Sequence, residues 1–355
     1  GILFAVLYGL VSLFGASRLI GFFKLNSPEV IAQAEWYVRI ACGLVIFSYL
    51  NAILTGLLTA AGNSRTPFIV NVAGLVFNVV LDPVLIFGIG PFPELGVSGA
   101  AAATVTAQAL VSLLFFKAVL REKVLFPHLR LWVLVPVKVW REIVRIGVPS
   151  AVQNLIYAGI SMILTRLITG WGDLAVAAQR VGSQIESVSW MVGDGFSAAV
   201  NAFLGQNYGA KRYDRVRRGY FCAIAMTAAW GLCTTFLLIG MARPLFSIFL
   251  QEEEVMAIGV NYLRIVGLSQ MFMMVEQTSI GAFSGLGRTL YPSIISVTFT
   301  SARIPVAVLL SSVMGLSGIW WALSISSMVK GCILFVSFVV FLYVFLERKK
   351  DEKTV

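Results

Sequence analysis

The sequence predicts an all-α polytopic membrane protein, and three observations carry that prediction. Of its 355 residues, 58% are hydrophobic and only 12% charged, against roughly 25% charged in ordinary soluble domains; the mean hydropathy is +0.88. Apolar stretches long enough for the roughly 20 residues of a spanning helix recur along the whole chain. The period-2 alternation of an outer-membrane strand is missing, and the runs exceed strands of about 10 residues, which leaves a helical bundle.

About ten transmembrane helices follow in order, separated by short polar or Gly/Pro-marked breaks. The first spans 1 to 22 and the second 33 to 60, which the polar "GNSRTP" closes. The third, 66 to 88, ends at the Gly/Pro-rich "GIGPFPELG", and the fourth covers 95 to 117. After a basic segment come 141 to 168, 173 to 205, 216 to 240, 255 to 285, 291 to 311 and 316 to 346. The longest of these must contain interfacial turns or tilt.

The formal charge of +10 is distributed asymmetrically. Lys117, Arg121, Lys123, Arg130, Lys138, Arg141 and Arg145 lie between the fourth and fifth spans. Lys211, Arg212, Arg215, Arg217 and Arg218 lie between the sixth and seventh, and the tail adds Arg348, Lys349, Lys350 and Lys353. With alternating helices these fall on one side together with Arg65 and Arg288, while the other side has only Lys24 and Arg243 near its loops and holds the acidic run Glu252, Glu253 and Glu254. This is the positive-inside pattern, and it predicts a multi-pass protein of the cell membrane with a cytoplasmic C-terminus. No nucleic-acid-binding module accompanies the charge.

Cys42, Cys222, Cys233 and Cys332 sit in apolar spans without a CxxC spacing and read as buried free thiols. His128, the only histidine, lies in the basic segment, which excludes a multi-histidine metal site and a Ser/His/Asp arrangement. No cofactor is expected and the chain reads as no enzyme. It starts at Gly1 directly in an apolar run, as though its true beginning lay upstream.

An internal repeat appears at an offset of 225. Tyr37, Arg39, Gly56, Gly62 and Pro67 are answered by Tyr262, Arg264, Gly281, Gly287 and Pro292. After a loop six residues shorter, "GVSGAAAAT" at 96 to 104 is answered by "GLSGIWWAL" at 315 to 323. The first four spans thus correspond to the last four. The fifth and sixth have no counterpart at the start, which predicts two further helices upstream and two six-helix lobes in parallel repeat. The expected organisation is 1–117 as the remainder of an N-lobe, 118–140 as a cytoplasmic inter-lobe linker, 141–346 as the C-lobe and 347–355 as a cytoplasmic tail.

Ionisable residues inside spans cost roughly 2.5 to 3.5 kcal/mol at a helix centre and are functional candidates by default. Asn78 and Asp82, four apart, share a helix face and can bind one cation or one proton network. Pro83 leaves a carbonyl one turn earlier free to join it. Alternatively, Asp82 caps its helix or pairs with an arginine; the repeat places Arg303 opposite Asn78 and nothing acidic opposite Asp82. Glu186 and Glu276 can each bind a cationic substrate or pair with an arginine. Asp194, between two glycines, reads as a cap at a helix irregularity, and Arg39 and Arg264 as snorkelling residues. The cluster Met271, Met273 and Met274 is core or lipid-facing packing, or the lining of an adaptable pocket.

"GNSRTPFIVNVAGLVFNVVLDPVLIFG", "LGVSGAAAAT", "GQNYGAKR" and "GAFSGLGRTLYP", in this order, resemble the multidrug and toxic compound extrusion (MATE) transporters. The resemblance implies a twelve-helix, two-lobe fold of which this chain supplies helices three to twelve. It implies a monomeric antiporter in the lipid bilayer that exports bulky organic cations, drugs or toxic metabolites in exchange for H⁺ or Na⁺ by alternating access. In the DinF-like branch an N-lobe cation site uses an Asp on the family's first helix, a Tyr, an Asn and Asp one turn apart, and a Thr; here Tyr37, Asn78, Asp82 and Thr104 stand at matching places, while the first-helix Asp falls on a helix that this chain does not include. The NorM branch uses a C-lobe Glu and Asp, and this sequence departs from that pattern. Tyr157 occupies the Glu place, and Met273 is near the Asp place, with Glu276 one turn on. The competing reading is a flippase of the same superfamily for a lipid-linked oligosaccharide or peptidoglycan precursor; Arg39, Arg166 and Arg303 directed into one cavity would favour it.

Overall fold

The computed structural model describes residues 1–21, 28–121 and 136–346. Lys24, His128, most of the expected linker and the basic tail lie outside the described residues. The chain forms two compact units, Gly1–Val133 and Leu134–Val355, and that boundary falls inside the expected linker. The ends of the linker are helical rather than loop-like: residues 118–121 continue the helix before it and 137–140 begin the helix after it.

The first unit contains α1 (Ile2–Gly21), α2 (Pro28–Tyr37), a π-helical turn (Val38–Cys42), α3 (Ile46–Ala60), α4 (Arg65–Phe87) and α5 (Gly96–Arg121). Helix α4 starts where Asn63 Oδ1 accepts the Thr66 N–H at 3.1 Å and stops at Gly88, whose φ of 68° is left-handed. It runs unbroken through Pro83, so the carbonyl of Val79 has no N–H one turn on. Its main neighbour is α5. At Gly74 a Cβ would collide with the Val111 side chain, so the missing side chain is what lets the two helices approach.

The second unit contains α6 (Val137–Thr169), α7 (Asp173–Gly209), α8 (Tyr213–Gly240), α9 (Ala242–Ser247), α10 (Glu253–Gly267), α11 (Gln270–Gly285), α12 (Leu290–Ser301), α13 (Arg303–Met314), α14 (Leu316–Phe341) and a closing π-helical turn (Leu342–Leu346). Helix α11 is the centre of this unit, packing on α7, α8 and α14. Its Gly281 lies against the backbone of Ser197 and its Gly285 against Asn201, the small-residue contact through which helices associate in lipid. One end of the core is aromatic, with the Phe338 ring 4.3 Å from that of Tyr220 and 4.9 Å from that of Phe283.

Among the described residues there is no strand. Among these residues eight helical stretches are long and apolar enough to cross a membrane, and nine are counted when α10 and α11 form one bent span. Large apolar side chains such as Phe14, Phe236 and Val313 stand on their outer faces, as lipid-facing residues must. The one expected span outside this count is the sixth, α7, a continuous helix of 37 residues that does not meet that apolar standard. The reason is that Gln179, Ser183, Glu186, Ser187 and Asp194 turn toward a cavity and not toward lipid. The cysteines are free, but the expectation that all are buried fails: Cys222, Cys233 and Cys332 are exposed on helix surfaces, where a small apolar thiol can face lipid.

The repeat is visible in the backbone. The second span breaks at the π-helical turn and at Gly43 to Val45. Its counterpart breaks at Leu268 and Ser269, with a bend of 50° between α10 and α11. The copies diverge in the next span: α4 is continuous, whereas its counterpart is interrupted at Ala302, between α12 and α13.

Candidate coupling and substrate site

In the first unit α4 brings Asn78 and Asp82 together, and Asn78 Nδ2 donates to Asp82 Oδ1 at 3.2 Å. Both are half-buried, and Asp82 has no ion-pair partner among the described residues. It neither caps the helix, which runs on to Phe87, nor pairs with an arginine. The close approaches of Gly74 to Val111 and of Gly99 to the Leu85 carbonyl set the antiparallel register of α4 and α5. That register puts Thr104 level with the turn between Asn78 and Asp82, although Thr104 is exposed. Tyr37 ends α2 and is 40% exposed. Neither Tyr37 nor Thr104 makes a side-chain hydrogen bond to the pair among the described residues.

Sequence reasoning passed over a buried polar corner in this unit. Asn51 on α3 donates to the Gln108 carbonyl at 2.9 Å and to Gln108 Oε1 at 2.8 Å, and accepts from Ser112 Oγ at 2.8 Å. The available signal was Gln108 and Ser112, one helical turn apart in an otherwise apolar span.

The second unit holds two adjoining cavities of about 420 and 370 Å³, with Tyr157, Trp190, Asp194 and Ser327 lining both. Glu186 and Arg303 line the first; Met273, Glu276 and Lys330 line the second. Met273 is therefore a buried lining residue and does not face lipid. Asp194 does not mark an irregularity: α7 passes through it unbroken, and its carboxylate faces both cavities with no ion-pair partner among the described residues.

Glu186 pairs with no arginine. Trp190 Nε1 and Gln270 Nε2 donate to its Oε1 at 3.0 and 3.1 Å, and the Tyr262 hydroxyl donates to its Oε2 at 3.0 Å. Three neutral donors thus satisfy the carboxylate. Tyr262 belongs to α10 and Gln270 opens α11, so this one side chain on α7 holds both sides of the 50° bend. Glu276 pairs with a lysine: Lys330 Nζ lies 2.7 Å from its Oε1, with both side chains buried. Arg303, 5% exposed, donates from Nε to Ser326 Oγ at 3.1 Å and from Nη2 to Ser327 Oγ at 2.9 Å. Its guanidinium sits 6.0 Å from the Tyr157 ring centre.

Of the three arginines weighed for a flippase, only Arg303 lines either of these two cavities. Arg166 is exposed on α6, and Arg39 in the first unit pairs with Glu35 at 3.2 Å. Among the described residues no group of three or more His, Cys, Asp or Glu is placed to hold a metal.

The chain matches the MatE family model over residues 1–84 and 149–309. It is 32% identical over 317 residues to the probable multidrug resistance protein NorM of Thermotoga maritima, covering 85% of this chain and 66% of that protein. It is 28% identical over 303 residues to the probable multidrug resistance protein YoeA of Bacillus subtilis, covering 83% and 65%. To an FAD transporter of Shewanella oneidensis it is 26% identical, covering 77% and 61%. The chain thus spans about two thirds of the length of the curated relatives it matches. In fold it is similar to an outward-facing multidrug resistance MATE family transporter (TM-score 0.87, 19% identity, 98% of this chain and 78% of that one). It is also similar to a MATE transporter in the straight conformation (TM-score 0.86, 20% identity, 98% and 78%). A helical membrane fold, four motifs in order and a family model matched over most of the chain agree, and the chain belongs to the MatE family, the MATE transporters.

Proposed function

We propose that this protein is a secondary active antiporter of the cell membrane that exports bulky organic cations, drugs or toxic metabolites in exchange for H⁺ or Na⁺. One observation carries the coupling assignment. Asp82 is a carboxylate within a span whose polar neighbour is the neutral Asn78, so its charge is available to a mobile cation or proton. In the second unit Glu186 is committed to three neutral donors and Glu276 to Lys330, while Asp194, also without an ion-pair partner among the described residues, lines the cavities on the substrate side. In this reading Thr104, level with the pair on α5, and Tyr37 contribute further oxygens, and Glu186 and Glu276 shape the substrate side.

The cavities of the second unit supply what an amphipathic organic cation needs. Tyr157 and Trp190 offer ring faces, Met273 a soft and adaptable wall, and Asp194 a carboxylate without an internal partner. The two compact units act as the lobes of alternating access, joined by the 118–140 segment, with the C-terminus in the cytoplasm and the protein working as a monomer. The multidrug names of the relatives support the substrate class. The two cavities of the second unit lend the flippase reading little support, since of Arg39, Arg166 and Arg303 only Arg303 lines them.

The test is ethidium efflux from everted vesicles under imposed pH or Na⁺ gradients, with the complete reading frame and its Asp82→Asn variant. Gradient-driven efflux that falls by at least about tenfold in the variant, roughly 1.4 kcal/mol in the activation barrier, is the expected result. Full efflux from Asp82→Asn would move coupling to the second unit, and no efflux from folded wild type under either gradient would refute the antiporter.

A further inference from the structure

Glu276 on α11 and Lys330 on α14 are 7% and 5% exposed and form the 2.7 Å ion pair that walls the second cavity. The same cavity is lined by the neutral oxygen-bearing side chains of Gln277, Ser296 and Thr300, and by Ser327, whose hydroxyl accepts from Arg303. One of them, the Ser296 hydroxyl, is buried in a residue only 2% exposed and has no hydrogen-bond partner. One carboxylate amid neutral oxygens is the donor set that hard, oxygen-seeking cations take. A single negative charge suits a single positive one.

Simple packing does not call for the ion pair here. In the internal repeat Asn51 stands at the place of Glu276, at the offset of 225. The six-residue loop difference then puts Val111 at the place of Lys330. The same corner of the first unit is closed by neutral groups, Asn51, Gln108 and Ser112. The carboxylate and the ammonium are therefore both peculiar to the second copy. An ammonium on a four-carbon tether is a monovalent cation that never leaves.

We propose that Glu276 and its surrounding oxygens form a monovalent-cation site whose resident cation is the Lys330 ammonium. Shortening Lys330 opens that site to Na⁺, K⁺ or a small primary alkylammonium ion. Removing a tethered charge while leaving its carboxylate buried creates a demand for a replacement cation, and binding to the folded state then raises stability with concentration.

The experiment is a melting titration of the purified full chain in detergent. Wild type, Lys330→Ala and Lys330→Ala/Glu276→Gln are compared in up to 200 mM sodium, potassium or ethylammonium chloride, with choline chloride holding ionic strength constant. Lys330→Ala is expected to melt lower than wild type in choline and to regain about 2 to 4 °C in one or more of the small cations. Wild type and the double variant are expected to move by less than about 1 °C between salts. Which salt acts separates an inorganic-ion site from an alkylammonium site. A flat response of Lys330→Ala to all three, or an equal response in wild type, overturns the proposal. If Lys330→Ala does not accumulate, Lys330→Ser goes through the same titration. Recovery of either variant only when sodium, potassium or ethylammonium is present supports the site, and recovery in none of them refutes it. The readout requires neither transport nor Asp82, so it fails or succeeds independently of the coupling assignment.

Discussion

In the first unit the corner between α3 and α5 is closed by Asn51, Gln108 and Ser112; in the second, the equivalent corner between α11 and α14 is closed by Glu276 and Lys330. One span further along, the first unit carries Asn78 and Asp82 on a continuous α4. The second carries Arg303 and Ala307 there, at the break that opens α13. Both copies interrupt the Tyr-x-Arg helix at the same register, by a π-helical turn in one and a 50° bend in the other. The interruption of the Tyr-x-Arg helix is thus retained across the repeat, while the break at Ala302 and the charges at these two corners are not. Such breaks need cover for freed backbone groups, which packed neighbours provide in either copy. A fully buried charge such as the Lys330 ammonium needs its own specific partner, so Glu276 and Lys330 change as a set.

The comparison is broken most severely by stranding one member of a set. Glu276→Leu leaves the Lys330 ammonium buried without its carboxylate and should destabilise the second unit by about 3 to 5 kcal/mol. The double variant Glu276→Leu/Lys330→Met, which restores a neutral corner like that of the first unit, should return to within about 1 kcal/mol of wild type or exceed it. Denaturant unfolding in mixed micelles measures both. A double variant as unstable as the single one would show that the corner needs its charges for packing.

A smaller loss follows in the neutral corner. Asn51→Ala removes the acceptor of Ser112 and the donor to Gln108, and the same unfolding measurement should show a loss of about 1 to 2 kcal/mol. The loss is smaller because no charge is left unpaired, and Ser112 keeps its 3.0 Å bond to the Gln108 carbonyl. A loss equal to that of Glu276→Leu would remove the distinction drawn between the two corners.

The smallest effect is expected at the bend. Tyr262→Phe deletes one of the three donors to Glu186 and should cost about 0.6 kcal/mol, the average for hydrogen bonds between membrane helices. Losing the donor on the α10 side should also loosen the hinge, read as faster hydrogen exchange at residues 266–270 with exchange elsewhere unchanged. Unchanged exchange there would mean that the bend is set by packing alone.

Most of the fold was legible in the sequence because lipid imposes a coarse rule: backbone groups must be satisfied internally, and outer faces must be apolar. That rule marked ten spans by composition, and the repeat exposed the relation of the first four to the last four. One of the ten, α7, falls short of a strict apolar standard because its polar face lines a cavity. The candidate site was legible where partners lie one turn apart, as with Asn78 and Asp82, because helical spacing is readable in one dimension. It was illegible where partners lie far apart in the chain. Glu186 and Tyr262 are 76 residues apart, and Glu276 and Lys330 are 54.

By itself, the sequence determined that this is a helical membrane protein with an internal repeat, a MATE-type motif order and a short set of intramembrane charges. Hydropathy, spacing and identity along the chain are sufficient for each of these. Only the tertiary structure decided which charges are engaged. It placed Lys330 on Glu276 and three neutral donors on Glu186, and left Asn78 as the polar companion of Asp82. The physical reason is that an intramembrane charge has its meaning from what lies within about 4 Å of it, and that neighbourhood is assembled by helix packing from distant parts of the chain.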